Sequence, residues 1–477
     1  MQPLVWFRSD LRTADHPALW HACQLADGGA NVAAVFVITP QQWDRHDWGA
    51  VKVDFMLRNV AALRERLAKL KIPLHVLSVT TFKKTPAALL KLAQTLKCNA
   101  LFFHREYGVN ELDRDEAVTQ LFEKNDIAVR VNDDQTIIPP EEVRTKDGRF
   151  YKVFTPFKRS WLDLVKQRLP LELHSQPKKR KAMTPATGEI PSMVEPFKQS
   201  PVPAALWPAG EGEAMRRLKA FVRHRIDDYH EHRDTPSLDG TSTLSPYLAA
   251  GVISPRQCLV AAMKANGGKL DAGSRGITTW ISELVWREFY RHVLVGFPRI
   301  CRNRAFRPET EKLAWRDDDK QFTAWSEGRT GVPIVDAAMR QLQATGWMHN
   351  RLRMITSMYL TKDLLIDWRR GERFFMRHLI DGDLASNNGG WQWSASTGTD
   401  AAPYFRIFNP VSQSRKCDPD GTFIRQYVPE LADLGDKEIH DPSALPPLRR
   451  SAIDYPEPIV DHGEARKRTL KAFEAIK

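Results

Sequence analysis

The stretch Trp368–Pro410, WRRGERFFMRHLIDGDLASNNGGWQWSASTGTDAAPYFRIFNP, gathers the residue types that can hold a flat polar ligand. It is poor in aliphatics and rich in Asp, Asn, Gly, Ser and Thr, yet it carries Trp391 and Trp393 almost side by side. Polar donors and acceptors beside large rings suit a heteroaromatic group. An irregular loop pinned by buried aromatic anchors would read the same way. A second stretch, Gly240–Gly251 (GTSTLSPYLAAG), sets four Ser/Thr hydroxyls ahead of a helical pattern. That arrangement suits a phosphate or, more plainly, a helix N-cap. In a third, Thr278–Leu294, helical spacing puts Glu283, Trp286, Arg287 and Tyr290 on one face. Asn350, Arg353, Met354 and Ser357 line up in the same way within Asn350–Trp368. Such faces bind a base-like ligand or form a buried ion-pair network.

Two kinds of scaffold must position these residues. Short apolar runs at Leu4–Phe7, Val32–Thr39, Leu74–Val79, Ala100–Phe103 and Ala128–Val131 read as strands. Helical patterns such as Val51–Leu70 and Pro86–Leu96 lie between them. That alternation predicts an α/β domain with a doubly wound parallel sheet over residues 1–131. The first strand runs into Arg8–Arg12 with no GxGxxG, so a Rossmann dinucleotide site is not expected there. Residues 132–204, with Pro139-Pro140, the basic run Lys178–Lys181 and many prolines, read as a linker. Residues 205–477 read as a mostly α-helical domain, with Asn350–Trp368 expected as one uninterrupted helix.

The 477 residues suffice for two domains. The longest apolar run, Val32–Ile38, falls far short of the ~20 residues a membrane helix needs. Charges arrive early and no cleavage site follows, so no secretory signal is expected and the cytoplasm is the expected compartment. The five cysteines are scattered with no CxxC or Cys/His cluster, which argues against a disulfide framework or a zinc site. Formal charge is +12; residues 1–127 hold 16 Lys+Arg against 14 Asp+Glu, and the remainder 54 against 44. A basic excess in the later part fits a phosphate-backbone partner. Eight of the fourteen tryptophans follow residue 279, where they could pack, stack on bases or carry electrons.

Taken together, VWFRSDLR, GTSTLSPYLAAG, SELVWREFYR, GVPIVDAAMRQL, GWMHNRLRM and LIDGDLASNNGGWQWSASTGTDAAPYFRIFNP resemble the class I photolyases of the photolyase/cryptochrome superfamily. The resemblance covers nearly the whole chain and is nearest to the enterobacterial folate-type enzymes acting on cyclobutane pyrimidine dimers. It implies a monomer whose helical domain holds a folded FAD. Tyr229, Thr241, Ser242, Leu244 and Ser245 would contact its phosphate and ribityl region. Trp280, Glu283, Arg287, Asn350, Arg353, Asp381, Gly382 and Asp383 would surround the rest, with Arg353 and Asp381 paired against the ring. Asn387 would face flavin N5.

The resemblance also implies a flipped-out lesion, as the handling of a base stacked inside DNA requires. Trp286 and Trp393 would wall its pocket, Glu283 would hydrogen-bond the pyrimidines, and Met354 and Arg351 would form the rim. Arg233 and its basic neighbours would hold DNA phosphates, with Arg287 and Asn350 also on the DNA side. Light would excite reduced FAD, one electron would pass to the dimer, its two linking bonds would break, and the electron would return. Trp391, Trp368 and Trp315 match a relay that reduces the resting flavin. His46, Asn110, Glu111 and Cys301 match the site of a methenyltetrahydrofolate antenna, and Arg302 stands where close relatives have lysine. A guanidinium differs in geometry from an ammonium, so a deazaflavin is the rival antenna.

Two other functions fit the same architecture. A (6-4) photolyase carries two pocket histidines where this chain has Asn350 and Met354, and His349 is one residue out of register. Plant-type cryptochromes, which signal and do not repair, carry an acid opposite N5, whereas Asn387 is an amide.

Overall fold

Strands covered on both faces must be apolar at successive positions. β1 (Pro3–Phe7), β2 (Ala33–Ile38) and β4 (Ala100–His104) meet that demand and are buried at every residue. With β3 (Leu74–Ser78) and β5 (Ala128–Asn132) they form one sheet in the order β3-β2-β1-β4-β5, every pair parallel. The order reverses at β1, which makes the sheet doubly wound. The computed structural model describes residues 2–26, 31–181 and 185–476, so residues 182–184 of the anticipated linker lie outside it.

In open α/β sheets the crevice beyond the strand ends, at such a reversal, is the usual ligand site. Here the protein's own charges fill it. Asp10 Oδ1 accepts from the Arg8 backbone N–H at 2.6 Å and its Oδ2 from His104 Nδ1 at 2.7 Å, and His16 Nε2 lies 3.3 Å from the same Oδ2. Arg8 pairs with Asp115 at 2.9 Å, and Arg12 and Arg256 share Asp134 Oδ1 at 2.5 and 2.6 Å. His16 Nδ1 and His104 Nε2 accept backbone N–H groups from Leu19 and Ala18, so both rings are fixed as neutral tautomers. Asp10, His16 and His104 stand close enough for a metal. Three of their four ring nitrogens are committed to hydrogen bonds and the fourth faces the carboxylate, which makes the trio a structural knot.

The anticipated linker contains a helix, Phe154–Gln167. Its Phe154, Phe157, Trp161, Leu162 and Val165 recur at helical spacing, a signal masked by the surrounding prolines. It lies against the long helix Arg275–Gly296: Trp161 Nε1 donates to Glu288 at 2.5 Å, Lys158 donates to Ser282 at 2.5 Å, and the Phe154 ring stacks on Trp286 at 3.6 Å. Further along, Thr187 accepts the Val76 N–H at 2.8 Å and covers the edge of β3.

The expected single helix Asn350–Trp368 is broken. An α-helix runs over Asn350–Met358 and continues as one π-helical turn, Tyr359–Asp363. Leu365 then takes φ +53°, and Asp367 caps a new helix, Trp368–His378, by accepting the Arg369 N–H. No proline or glycine marks this break, which is why periodicity alone runs through it. A large cluster forms the core here, including Trp325, Tyr359, Trp368, Phe375 and Trp391. Gly371 is fixed by it, because a Cβ there would overlap the Trp391 ring.

Contacts divide the chain into two units, the first Met1–Asp227, Ser242–Pro298 and Ile380–Gly382, the second Asp228–Thr241, Arg299–Leu379 and Asp383–Lys477. This is a division by packing, whereas the boundaries at 131 and 204 rest on sequence pattern. Among the described residues no helix is long and apolar enough to cross a membrane.

Candidate functional site

In the second unit, the helix Leu384–Ala395 carries Asn387, Trp391 and Trp393. Asp383 caps it, accepting the Ser386 N–H at 3.0 Å, so this member of the DGD motif has a structural task of its own. Asn387 is the informative residue. Its Nδ2 donates to the Glu372 backbone carbonyl at 3.0 Å and to Glu372 Oε1 at 2.9 Å. Both partners are acceptors, so the amide cannot be the other way round. Its Oδ1 takes no hydrogen bond from any described residue. The side chain therefore presents a neutral acceptor in a fixed direction.

Trp391 is 2 % exposed and Trp368 1 %, while Trp315 is partly exposed and packs against the same cluster. Trp391 lies 5.0 Å from Phe375 and 6.0 Å from Trp325, and its Nε1–H has no partner among the described residues. Helix Asn350–Met358 is tied to this helix by Ser357 Oγ and Ser394 Oγ at 2.7 Å. Asn350 is exposed, and Arg353 and Met354 are half-buried. Arg353 Nε donates to the Met348 carbonyl at 2.8 Å. His349 is buried as the N-cap of this helix and accepts the Arg351 N–H at 3.2 Å. Burial holds its pKa down to about 4.

Arg351 grips Asp234 with two hydrogen bonds, 3.2 and 2.7 Å, and Arg233 Nε lies 4.0 Å from the same carboxylate. Burial would raise the Asp234 pKa, but the Arg351 hydrogen bond and charge outweigh it and lower it. Arg233 also lies over the buried Tyr229 ring at 5.5 Å. Thr241 is half-buried, Cys301 is a half-buried free thiol, and Arg302 is exposed.

In the first unit, the helix Arg275–Gly296 turns Ile281, Leu284, Val285, Glu288 and Phe289 into the core and leaves Glu283, Trp286, Arg287 and Tyr290 half-exposed. Arg287 donates to the Gln135 carbonyl at 2.6 Å. Trp280 is buried, 5.2 Å from Phe221. Phe154 lies parallel to Trp286 within 5° and fixes the plane of that indole. In Gly240–Gly251, Leu244 is buried, Ser242 half-buried and Ser245 exposed. The short helix Ser245–Ala249 starts without a side-chain cap, and the capping box belongs instead to Ser254 and Gln257 of the next helix. Asp381 is buried, and the Gly382 carbonyl accepts from Lys52 Nζ at 2.6 Å.

A separate cluster surrounds His46. Its Nε2 faces the amides of Gln42 and Asn110, both at 2.9 Å, and its Nδ1 faces Glu111 at 3.4 Å. Burial, then the charges of Lys52 and Arg114, holds the His46 pKa down to about 4. Burial, with Glu106 adding to it, pushes Glu111 up to about 7. Neutral imidazole beside a carboxyl that titrates near neutrality can both donate and accept.

Three residues of interest carried no signal of their own. Glu372 is a glutamate in a helix until Asn387 is seen against it. Phe154 sits in an apparent linker. Trp325 is one core tryptophan among several.

With this geometry in place, residues 3–178 match the family described as DNA photolyase, and residues 280–475 match the FAD binding domain of DNA photolyase. Similar curated proteins are named deoxyribodipyrimidine photo-lyase. That of Vibrio cholerae is 45 % identical, with 99 % of each chain covered. That of Escherichia coli is 44 % identical, with 99 % of this chain and 98 % of the relative covered. Among solved structures, a class III photolyase from Agrobacterium tumefaciens matches with a TM-score of 0.89 at 36 % identity, covering 100 % of this chain and 97 % of the other. The chain belongs to the DNA photolyase family, with an FAD-binding domain in its helical part.

Proposed function

We infer that this chain is a deoxyribodipyrimidine photo-lyase, a light-dependent lyase that splits cyclobutane pyrimidine dimers in UV-damaged DNA. Family membership and the names of its full-length relatives support the reaction class. The observation that carries the cofactor chemistry is the orientation of Asn387. Its Nδ2 is committed to Glu372, so its Oδ1 is the atom available to accept from the flavin ring. Bound FAD, reduced and photoexcited, supplies the electron that cleaves the dimer. A neutral acceptor beside N5 tolerates a reduced, negatively charged ring, whereas an acid there opposes it. This favours the repair enzyme over the plant-type receptor.

Arg353, Asp381 and Asp383, with Tyr229, Thr241, Ser242, Leu244, Ser245, Trp280, Arg287 and Asn350, are the remaining proposed FAD contacts. Glu283, Trp286, Met354 and Trp393 are the proposed lesion contacts. The first two stand half-exposed on one helix face, with the indole plane braced by Phe154. Arg233 and Arg351 share the single carboxylate of Asp234, so the trio keeps a net positive charge for a DNA phosphate. The burial of Trp391 and Trp368 and the partial exposure of Trp315 support Trp315 as the outer end of the relay. His46, Asn110 and Glu111, with Cys301 and Arg302, are proposed to hold methenyltetrahydrofolate. A folate and a deazaflavin absorb differently, so the spectrum of purified protein separates them. A monomer in the cytoplasm completes the reading, and size-exclusion chromatography tests the first part.

The decisive experiment incubates reduced protein with a thymine-dimer oligonucleotide, in light and in the dark. Repair in light alone is expected. Tight binding with no repair in either condition selects the receptor instead.

A further inference from the structure

Lys52 occupies a position that electrostatics disfavours. It lies in the first turn of helix Ala50–Lys69, where the unpaired backbone N–H groups already present positive charge. It is also buried, 8 % exposed, at a cost that an apolar side chain of equal length would avoid. Its Nζ lies over the Trp48 ring, 3.7 Å from the centroid, and Trp48 in turn stacks on Trp43 at 5.1 Å and 9°. The aromatic pair fixes the direction of the side chain. The ammonium ends 2.6 Å from the Gly382 carbonyl, 330 positions away in sequence, next to the buried Asp381.

What the cation does is hold one peptide carbonyl in the DGD segment, where no regular secondary structure fixes the backbone. Orienting that peptide sets the backbone direction leaving Asp381. We propose that Lys52 is a positioning residue for the flavin site, holding the Asp381–Gly382 backbone in the conformation that binds FAD. The proposal rests on the assignment of Asp381 and Gly382 to the flavin site.

The test compares Lys52→Met, Lys52→Gln and Lys52→Arg with the parent protein. It reads the rate of FAD loss from the rise of free-flavin fluorescence, the visible band structure of bound flavin, and the unfolding midpoint of the FAD-free protein. Lys52→Met should lose FAD about tenfold faster, the scale of one charge-assisted hydrogen bond. Its FAD-free form should unfold at a similar midpoint, since an unbranched side chain of similar length fills the same space. Lys52→Gln, a shorter neutral donor, should fall between, and Lys52→Arg should recover most of the retention. If Lys52→Met does not fold, the Gln and Arg variants give the same ranking. Three results overturn the proposal: unchanged FAD loss in Lys52→Met, equal FAD loss in the Gln and Arg variants, or a drop in FAD-free stability that accounts for the lost flavin. A parent protein that takes up no FAD overturns the flavin reading itself, and is distinguished by its colourless spectrum.

Discussion

The crevice beyond β1 and β4 and the surroundings of Asn387 are both buried and polar, yet they differ in what their hydrogen bonds join: opposite charges in the first and a neutral amide in the second. In the crevice, Asp10 is met by a backbone N–H and flanked by two histidines, and Asp134 is met by two arginines. Around Asn387, the amide nitrogen is satisfied twice and the oxygen is left without a described donor. Trp391 beside it keeps an unpartnered N–H. Buried atoms without a partner occur in both regions, Arg8 Nε and Nη2 and His16 Nε2 in the crevice and Trp391 Nε1 here, so the contrast is one of charge: the crevice groups face opposite charges, whereas the Asn387 oxygen is a neutral acceptor held in a fixed direction. The doubly wound sheet has the crevice that holds dinucleotides in other proteins, and this chain has closed it with charge. Fold alone would have sent the cofactor to the wrong half.

If the crevice is a structural knot, breaking it should cost stability and spare the chemistry. Asp10→Ala leaves two donors without an acceptor and should destabilise the protein by about 3–5 kcal/mol, read by urea denaturation. The same knot predicts acid sensitivity. Burial lowers the His16 pKa from 6.5 to about 4. The unfolded chain therefore binds the proton first as pH falls. The stabilisation is complete above pH 6.5 and is lost on descending towards pH 4, on the order of 3 kcal/mol for this group. A flat stability profile between those limits would show that His16 does not stay neutral in the fold.

The Asn387 region should respond in the opposite way, with altered chemistry and little loss of stability. Asn387→Asp removes the donor to Glu372 and sets two carboxyls against each other, so the reduced flavin should reoxidise about tenfold faster in air, followed by its visible absorption. The smallest effect on repair is expected at the partly exposed end of the tryptophan series. Trp315→Phe should abolish photoreduction of resting flavin without mediators and leave repair by pre-reduced protein unchanged. A Trp315→Phe protein that photoreduces normally would remove this residue from the relay.

Much of this was readable from the chain itself. All five strands follow from short apolar or β-branched runs; burial on both faces leaves that signature in β1, β2 and β4, whereas β5 is largely exposed and shows only its valines. The family follows from long motifs in which most positions are constrained. Helix Phe154–Gln167 was legible in principle and hidden by its proline-rich setting, and the break at Leu365 was not legible, because nothing local forbids the helix from continuing. Periodicity also grouped Glu283, Trp286, Arg287 and Tyr290 correctly, since a helix face depends only on spacing.

The sequence by itself determined the element types, the helix faces and the family, all of which depend on neighbours along the chain or on motifs kept whole. Tertiary structure alone decided which polar groups were left open. Glu372 orients Asn387 from a different helix, and Lys52 reaches Gly382 across 330 positions. Hydrogen bonding is directional and short-ranged, so whether a group is satisfied depends on what folding brings within about 3 Å of it, which no local pattern encodes.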